Sequence, residues 1–326
     1  MGTAVVTGSV AAALVAAAAV PGQAAAAAQQ RAGHAAAAAP ICRAWPVRHL
    51  KPRTRLAGKL SRDISRALRG RGDRYSVRML DPYLGIGCGI DIRQRFFSAS
   101  VVKAIILAAL LRKANAQHRG LTPTEKALAR LMITESDNNA ASALWVDAGT
   151  YRLERFLHLA HMRATVLGPG GAWGWTLLTA HDETLLLWLL MKPNKVLTTT
   201  DRRYELRLMS EVIPSQRWGV PAGAPHGFKV HVKNGWAPLN GFAWNINSIG
   251  AFTRGNGSQD YSIVVLTAGN PDMAYGVATI EDVAVKIHRD LNPGLRAVVL
   301  RSTPNASWNV PDEPVPHWKA VGPKAH

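Results

Sequence analysis

The sequence predicts an α+β fold, with one antiparallel sheet built from both ends of a domain, flanked by helices, and an all-helical subdomain inserted between its halves. Three observations lead there. Strand-type alternation occurs near residue 75 and returns only after residue 228. Helical patterns fill the stretch from 100 to 212. A last helical pattern, 274 to 291, closes the order.

Taken in chain order, the first 28 residues are apolar, Ala-rich and carry no charged side chain. They read as a signal peptide, with Ala-x-Ala cleavage options after Pro21. Gly8, Pro21 and Gln23 interrupt the stretch and argue against a membrane anchor. Residues 29–55 read as a flexible basic arm. Leu56, Leu60, Ile64 and Leu68 recur every four residues and predict an amphipathic helix. Tyr75, Val77 and Met79 alternate with Ser76 and Arg78, a strand whose partner follows the turn in "GIGCGI".

Helices follow. One runs from Ser100 to Ala114, and "TPTE" at 122–125 opens another with a capping box and Pro at its first position. Residues 138–147, 150–162, 180–191 and 201–212 read as four more, with "GPGGAWGW" (168–175) as a loop. From 228, "FKVHVK", "GFAWNINSIGAF" and "YSIVVLTAG" read as strands, the last two joined by a Gly-rich turn. The domain is expected over 56–292, with 293–326 a Pro-rich, mobile or surface-hugging tail.

Charge bounds the partners. The net charge is +18, and twelve Lys or Arg lie between Arg43 and Arg78 against Asp63 and Asp73. Such a surface suits an acidic cell-wall polymer, or is simply solvated. Nucleic acid is not expected, because no recognised binding fold or interleaved aromatic pattern accompanies the charge. Cys42 and Cys88 either pair, pinning the arm to the body, or are separate buried thiols. Their spacing suggests no metal site, and no cofactor is expected.

The chemistry centres on "FFSASVVKAIILAALL", residues 96–111, in which Lys103 is the only charge. Burial disfavours an ammonium ion, and a neutral amine can take the proton of a nearby hydroxyl. An i, i+3 spacing puts Ser100 and Lys103 on one helix face. Alone, S-x-x-K is weak, and a capping Ser with a snorkelling Lys explains it equally. Two later triplets change the balance: Ser136-Asp137-Asn138 at a helix junction, and Lys233-Asn234-Gly235 at a strand end.

This ordered set resembles the motifs of class A β-lactamases and penicillin-binding proteins. The likeness spans about residues 50–292 and includes Phe96, four residues before the serine. It implies the fold of β-lactamases and DD-peptidases and a serine hydrolase that forms an acyl-enzyme. Ser100 would attack the substrate carbonyl, Lys103 receive its proton and Ser136 relay a proton to the leaving nitrogen. Asn138 would hold the substrate's amide side chain. Lys233, with Asn234 and Gly235, would face a substrate carboxylate, and the backbone N–H groups of Ser100 and Trp236 would form the oxyanion hole.

Three departures qualify the likeness. Asn234 replaces a hydroxyl residue, and an amide cannot shuttle a proton. The stretch between Ser100 and Ser136 is short, so the helical subdomain is trimmed. The loop that should carry a water-positioning glutamate is "GPGGAWGW", without an acid. Glu154 should lie on a helix surface, and Asp182 and Glu183 in a helix first turn. His231, on the strand face of Lys233, is expected to be a buried, hydrogen-bonded core residue. The implied activity is acyl transfer on β-lactams or wall-type amides, faster in acylation than in deacylation, in a secreted or wall-associated protein. The alternative is a non-catalytic module that binds polyanionic wall polymer on the same fold.

Overall fold

A computed structural model describes residues 40–299 and 301, apart from 49, 240–242 and 256–258. The expected signal peptide and most of the expected tail lie outside the described residues.

Six strands form one sheet: β1 (Cys42–Ala44), β2 (Arg74–Asp81), β3 (Ile86–Ile90), β6 (Lys229–Leu239), β7 (Ala243–Thr253) and β8 (Tyr261–Asn270). Their spatial order is β1-β3-β2-β8-β7-β6, with every neighbouring pair antiparallel. The sheet thus joins N-terminal strands to C-terminal ones through β2 and β8. Helices α1 (Thr54–Ala67) and α8 (Met273–Leu291) pack together and cover one face. The other face meets a helical block of α2 (Val102–Ala116), α3 (Pro123–Arg130), α4 (Asn138–Ala148), α5 (Thr150–Leu159), α6 (Ala180–Met191) and α7 (Thr199–Ser210). A separate two-stranded ladder pairs β4 (Arg95–Phe97) with β5 (Leu177–Thr179).

The sequence pattern follows from this layering. In β8, Ile263 and Val265 enter the α1/α8 core, while Val264 and Leu266 enter the helical core. A strand covered on both faces is apolar throughout, so "YSIVVLTAG" carries little alternation. In β6, Val230 and Val232 join the α1/α8 core, which turns His231 and Lys233 to the opposite face. Helix α2 is buried nearly all round and runs through the helical block, as an evenly apolar helix must. The predicted capping box is present: Glu125 N–H donates to Thr122 Oγ1 and Thr122 N–H to Glu125 Oε2.

The arm differs from its expected flexibility. Residues 42–44 are strand β1, in register with β3, and a disulfide joins Cys42 to its cross-strand partner Cys88. Cysteine spacing left that pairing open because connectivity depends on which strands meet. The start of the expected tail hugs the body, with Val298 N–H donating to Ala224 O and His226 N–H to Arg296 O.

Candidate active site

The site is assembled where the start of α2, the α3–α4 junction and β6 converge. Ser100 lies in a single 3₁₀ turn, Ala99–Val101, that runs into α2. Ala99 has φ 44°, a left-handed conformation that a non-glycine residue adopts at a cost of about 1–2 kcal/mol. Buried partners hold the turn. Asn247 on β7 donates through Nδ2 to Phe97 O at 2.8 Å and to Ser98 O at 3.3 Å. Strand β6 passes so close that a Cβ at Gly235 would fall 2.9 Å from Ser100 N, 2.8 Å from Val101 N and 2.6 Å from Ser98 O. Only glycine fits there.

Lys103, one helical turn on, is fully buried. Its Nζ donates to Ser136 O (2.5 Å), Asn138 Oδ1 (2.7 Å) and Ser136 Oγ (3.2 Å). Those are three acceptors for an amine that has three N–H groups when charged and two when neutral. Loss of a proton therefore frees one contact and exposes a lone pair. The ring of Trp173 lies over the same nitrogen at 4.7 Å.

Ser136 is presented by an irregular junction. Helix α3 widens into a π turn, Leu131–Glu135, and Ser136 then takes φ 61°, ψ 32°. Asp137 caps α4 by accepting from Ala140 N–H at 2.6 Å. The cap chemistry of Ser-Asp-Asn is thus carried by Asp137, which leaves Ser136 and Asn138 on the lysine. Lys233 reaches Ser136 Oγ from across the cleft at 2.9 Å and also donates to Asn234 O at 3.0 Å. The Ser136 hydroxyl is thereby held between two lysines. Desolvation alone pulls Lys233 down to about 7.

Asn234 is placed differently from the role the resemblance gives it. Its Nδ2 donates to Gln216 O (2.8 Å) and Trp218 O (2.9 Å), fastening β6 to the turn at 214–218. The donor expected for a substrate carboxylate is committed to backbone carbonyls. An amide side chain one position past Lys233 alternates away from it, towards the carbonyls of Gln216 and Trp218. Trp236 packs its ring edge-to-face on Trp218, with centroids 5.7 Å apart. His231 is the expected core residue: it lies 2.6 Å from Leu206 O through Nδ1 and 2.9 Å from Thr253 Oγ1 through Nε2. Burial holds it down to about 4.

The loop before β5 forms a third wall. Its neck is tied by Val166 and Leu177, which exchange two 2.8 Å backbone bonds. Gly168 closes the loop, since a Cβ there would meet Ala172 O at 2.0 Å. The Ser98 hydroxyl has Ala99 O as its nearest acceptor (3.0 Å) and also lies against the carbonyls of Gly174 (3.3 Å) and Trp173 (3.4 Å), while Trp173 Nε1 donates to Ser142 Oγ on α4 (3.1 Å). Glu154 is exposed on α5. Asp182 accepts from Ala164 N–H, Thr165 N–H and the Thr165 hydroxyl, and so serves the backbone. Sequence reasoning missed Ser98 and Asn247; for Trp173 it left open whether the ring lines the cleft or packs the loop, and the ring lies over Lys103. The polar residues Ser98 and Asn247, set within apolar stretches, were the available signal.

Comparison with known proteins identifies the family and the fold. The profile described as "Beta-lactamase enzyme family" matches residues 116–291, more than half of the chain. The chain belongs to the β-lactamase enzyme family. The matched span holds Ser136, Asn138 and Lys233; Ser100 and Lys103 lie just upstream of it. No curated protein matches the sequence. Among solved structures, the chain is similar to a class A β-lactamase from Bacteroides cellulosilyticus (18% identity, 72% of this chain, 97% of that one, TM-score 0.63). It is similar to a β-lactamase from Sphaerobacter thermophilus (20% identity, 71% and 98% covered, TM-score 0.61). It is also similar to a mutant of PBP-A solved as an acyl-enzyme complex with penicillin G (17% identity, 72% and 97% covered, TM-score 0.61). At such identities the likeness establishes the β-lactamase fold.

Proposed function

We propose that this chain is an exported serine acyl-transfer enzyme that forms an acyl-enzyme on Ser100 with β-lactams or cell-wall-type amides and releases it slowly. The observation that carries the reading is the cluster of Lys103, Ser136 and Lys233, two buried amines sharing one hydroxyl beside the nucleophile turn. In acylation, a bond forms between Ser100 Oγ and the substrate carbonyl carbon, and the carbon–nitrogen bond breaks. Lys103 accepts the Ser100 proton, and the Ser136 hydroxyl passes a proton to the departing nitrogen. Lys233 attracts a substrate carboxylate while it is charged. The expected second donor, Asn234, is turned to the 214–218 turn, so carboxylate recognition falls mainly to Lys233. Slow release follows from the loop at 168–175, which offers no carboxylate to activate water.

A second reading, polymer binding, is favoured by one surface. A cavity of 420 Å³ opens between the C-terminal end of α1 and the flank of α8, on the sheet face away from Ser100. Arg66, Arg69, Arg71 and Lys286 line it against a single acid, Asp282, which is already paired with Arg71 and Arg301. One experiment separates the readings. Intact-mass spectrometry after incubation with benzylpenicillin is expected to show a covalent adduct that Ser100→Ala abolishes. Salt-sensitive retention on anionic wall polymer, with no adduct from any acylating probe, would establish the binding module instead. Penicillin turnover at the speed of an efficient β-lactamase would refute slow release.

A further inference from the structure

We propose that Trp173 governs how long the acyl-enzyme lasts: its indole, clamped over Lys103, closes the side of the ester that an activated water would have to reach. The inference rests on the acyl-enzyme reading above and assigns a positioning role to a residue of the loop.

Release requires a bond from water oxygen to the acyl carbon, cleavage of the bond to Ser100 Oγ, transfer of a water proton to a base and return of a proton to Ser100. Water therefore needs a base beside the ester. The loop at 168–175 supplies none. Glu154 is exposed on α5, Asp182 is bonded to the backbone of 164–165, and Glu183 is fully buried in the helical block. The remaining bases are Lys103 and Lys233, which share the Ser136 hydroxyl, and Lys103 stands one helical turn after Ser100. Around its nitrogen stand Ser136 O, Ser136 Oγ, Asn138 Oδ1 and the face of the Trp173 ring at 4.7 Å. The indole thus covers one side of the amine directly.

The ring is held at both ends. Its Nε1 donates to Ser142 Oγ on α4 at 3.1 Å, and the backbone at its root lies against the Ser98 hydroxyl. Next to it, Trp175 packs edge-to-face on Phe97, with centroids 4.9 Å apart. These contacts run from the strand before the nucleophile, across Lys103, to the helix that follows Ser136. A ring so fixed excludes water by its volume and favours a charged Lys103 through its π face. Both effects retard release, and neither requires the ring to touch the attacking Ser100.

The test is the lifetime of the benzylpenicillin adduct, followed by intact mass after free penicillin is removed, beside the rate at which the adduct forms. Trp173→Ala is expected to shorten the lifetime by about tenfold or more, a barrier change of one hydrogen bond's size. Trp173→Phe, which keeps a ring face but lacks the Nε1 anchor, should restore part of it. Ser142→Ala removes only the anchor from an exposed position and should give an intermediate lifetime, which keeps the test decisive if Trp173→Ala folds poorly. Damage to the site would slow labelling, whereas a lost barrier quickens release. Unchanged or longer lifetimes in Trp173→Ala and Ser142→Ala, with wild-type labelling on Ser100 intact, would overturn the role of Trp173 and leave the acyl-enzyme reading standing. Absence of any wild-type adduct would overturn both.

Discussion

Lys233 is a buried amine with no carboxylate partner among the described residues, and desolvation brings it to about 7. Its role in drawing a substrate carboxylate requires the charged form. The charged fraction falls as pH rises through about 7, so acylation by a carboxylate-bearing penicillin should decline above that pH. A neutral acylating ester should not share the decline. Stopped-flow labelling rates for the two probes between pH 6 and 9 check this, and parallel profiles would remove Lys233 from carboxylate recognition. Ser136 Oγ, at 2.9 Å from Lys233 and 3.2 Å from Lys103, links this titration to Lys103.

At the scale of elements, the site depends on how closely β6 approaches the turn before α2. Gly235 has no room for a Cβ, because the turn's backbone already stands 2.6–2.9 Å away. Gly235→Ala should force the strand and turn apart by several tenths of an ångström and misplace the reacting groups. A displacement of about 1 Å costs on the order of a hundredfold in rate. We expect Ser100 labelling to fall, by up to about that factor, while circular dichroism stays unchanged; full labelling activity would show that the contact is soft. Most elements were legible in the sequence. Alternation fixed β2 and β6, and capping signals fixed the start of α3. The β4–β5 ladder was missed, since three-residue strands are too short to carry a period. The strand β1 hid in a basic segment because a disulfide and a neighbouring strand, rather than its own residues, hold it in place.

At the scale of the whole molecule, two pairs of buried groups pull stability in opposite directions. His231 and His288 are both held to about 4 by burial. The unfolded chain binds those protons near 6.5, so stability falls as pH drops from about 6.5 to about 4, by roughly 3 kcal/mol per histidine. Glu183 and Glu205 are fully buried, their oxygens have no hydrogen-bond partner, and desolvation raises both well above the ordinary carboxylate range. There the folded state keeps a proton that the unfolded chain has lost. Stability therefore falls as pH rises from about 4.5 towards the raised value. Glu205→Gln removes that slope on one side. The difference in Tm between Glu205→Gln and the parent should grow in favour of the variant between pH 4.5 and 8, as calorimetry can measure. A constant difference would mean that Glu205 is ionised in the folded state.

The sequence by itself determined the α+β order, the helix that buries Lys103, and the ordered triplets at Ser100, Ser136 and Lys233. Those are local properties, written in period, capping residues and spacing. Only the tertiary structure decided that Asn234 serves the 214–218 turn, that Cys42 meets Cys88, and that Trp173 lies over the lysine. Each of these joins segments far apart in the chain, or turns on which side of a strand a neighbouring loop occupies. No local pattern encodes that, because the contacts exist only once the two halves of the sheet have closed around the helical block.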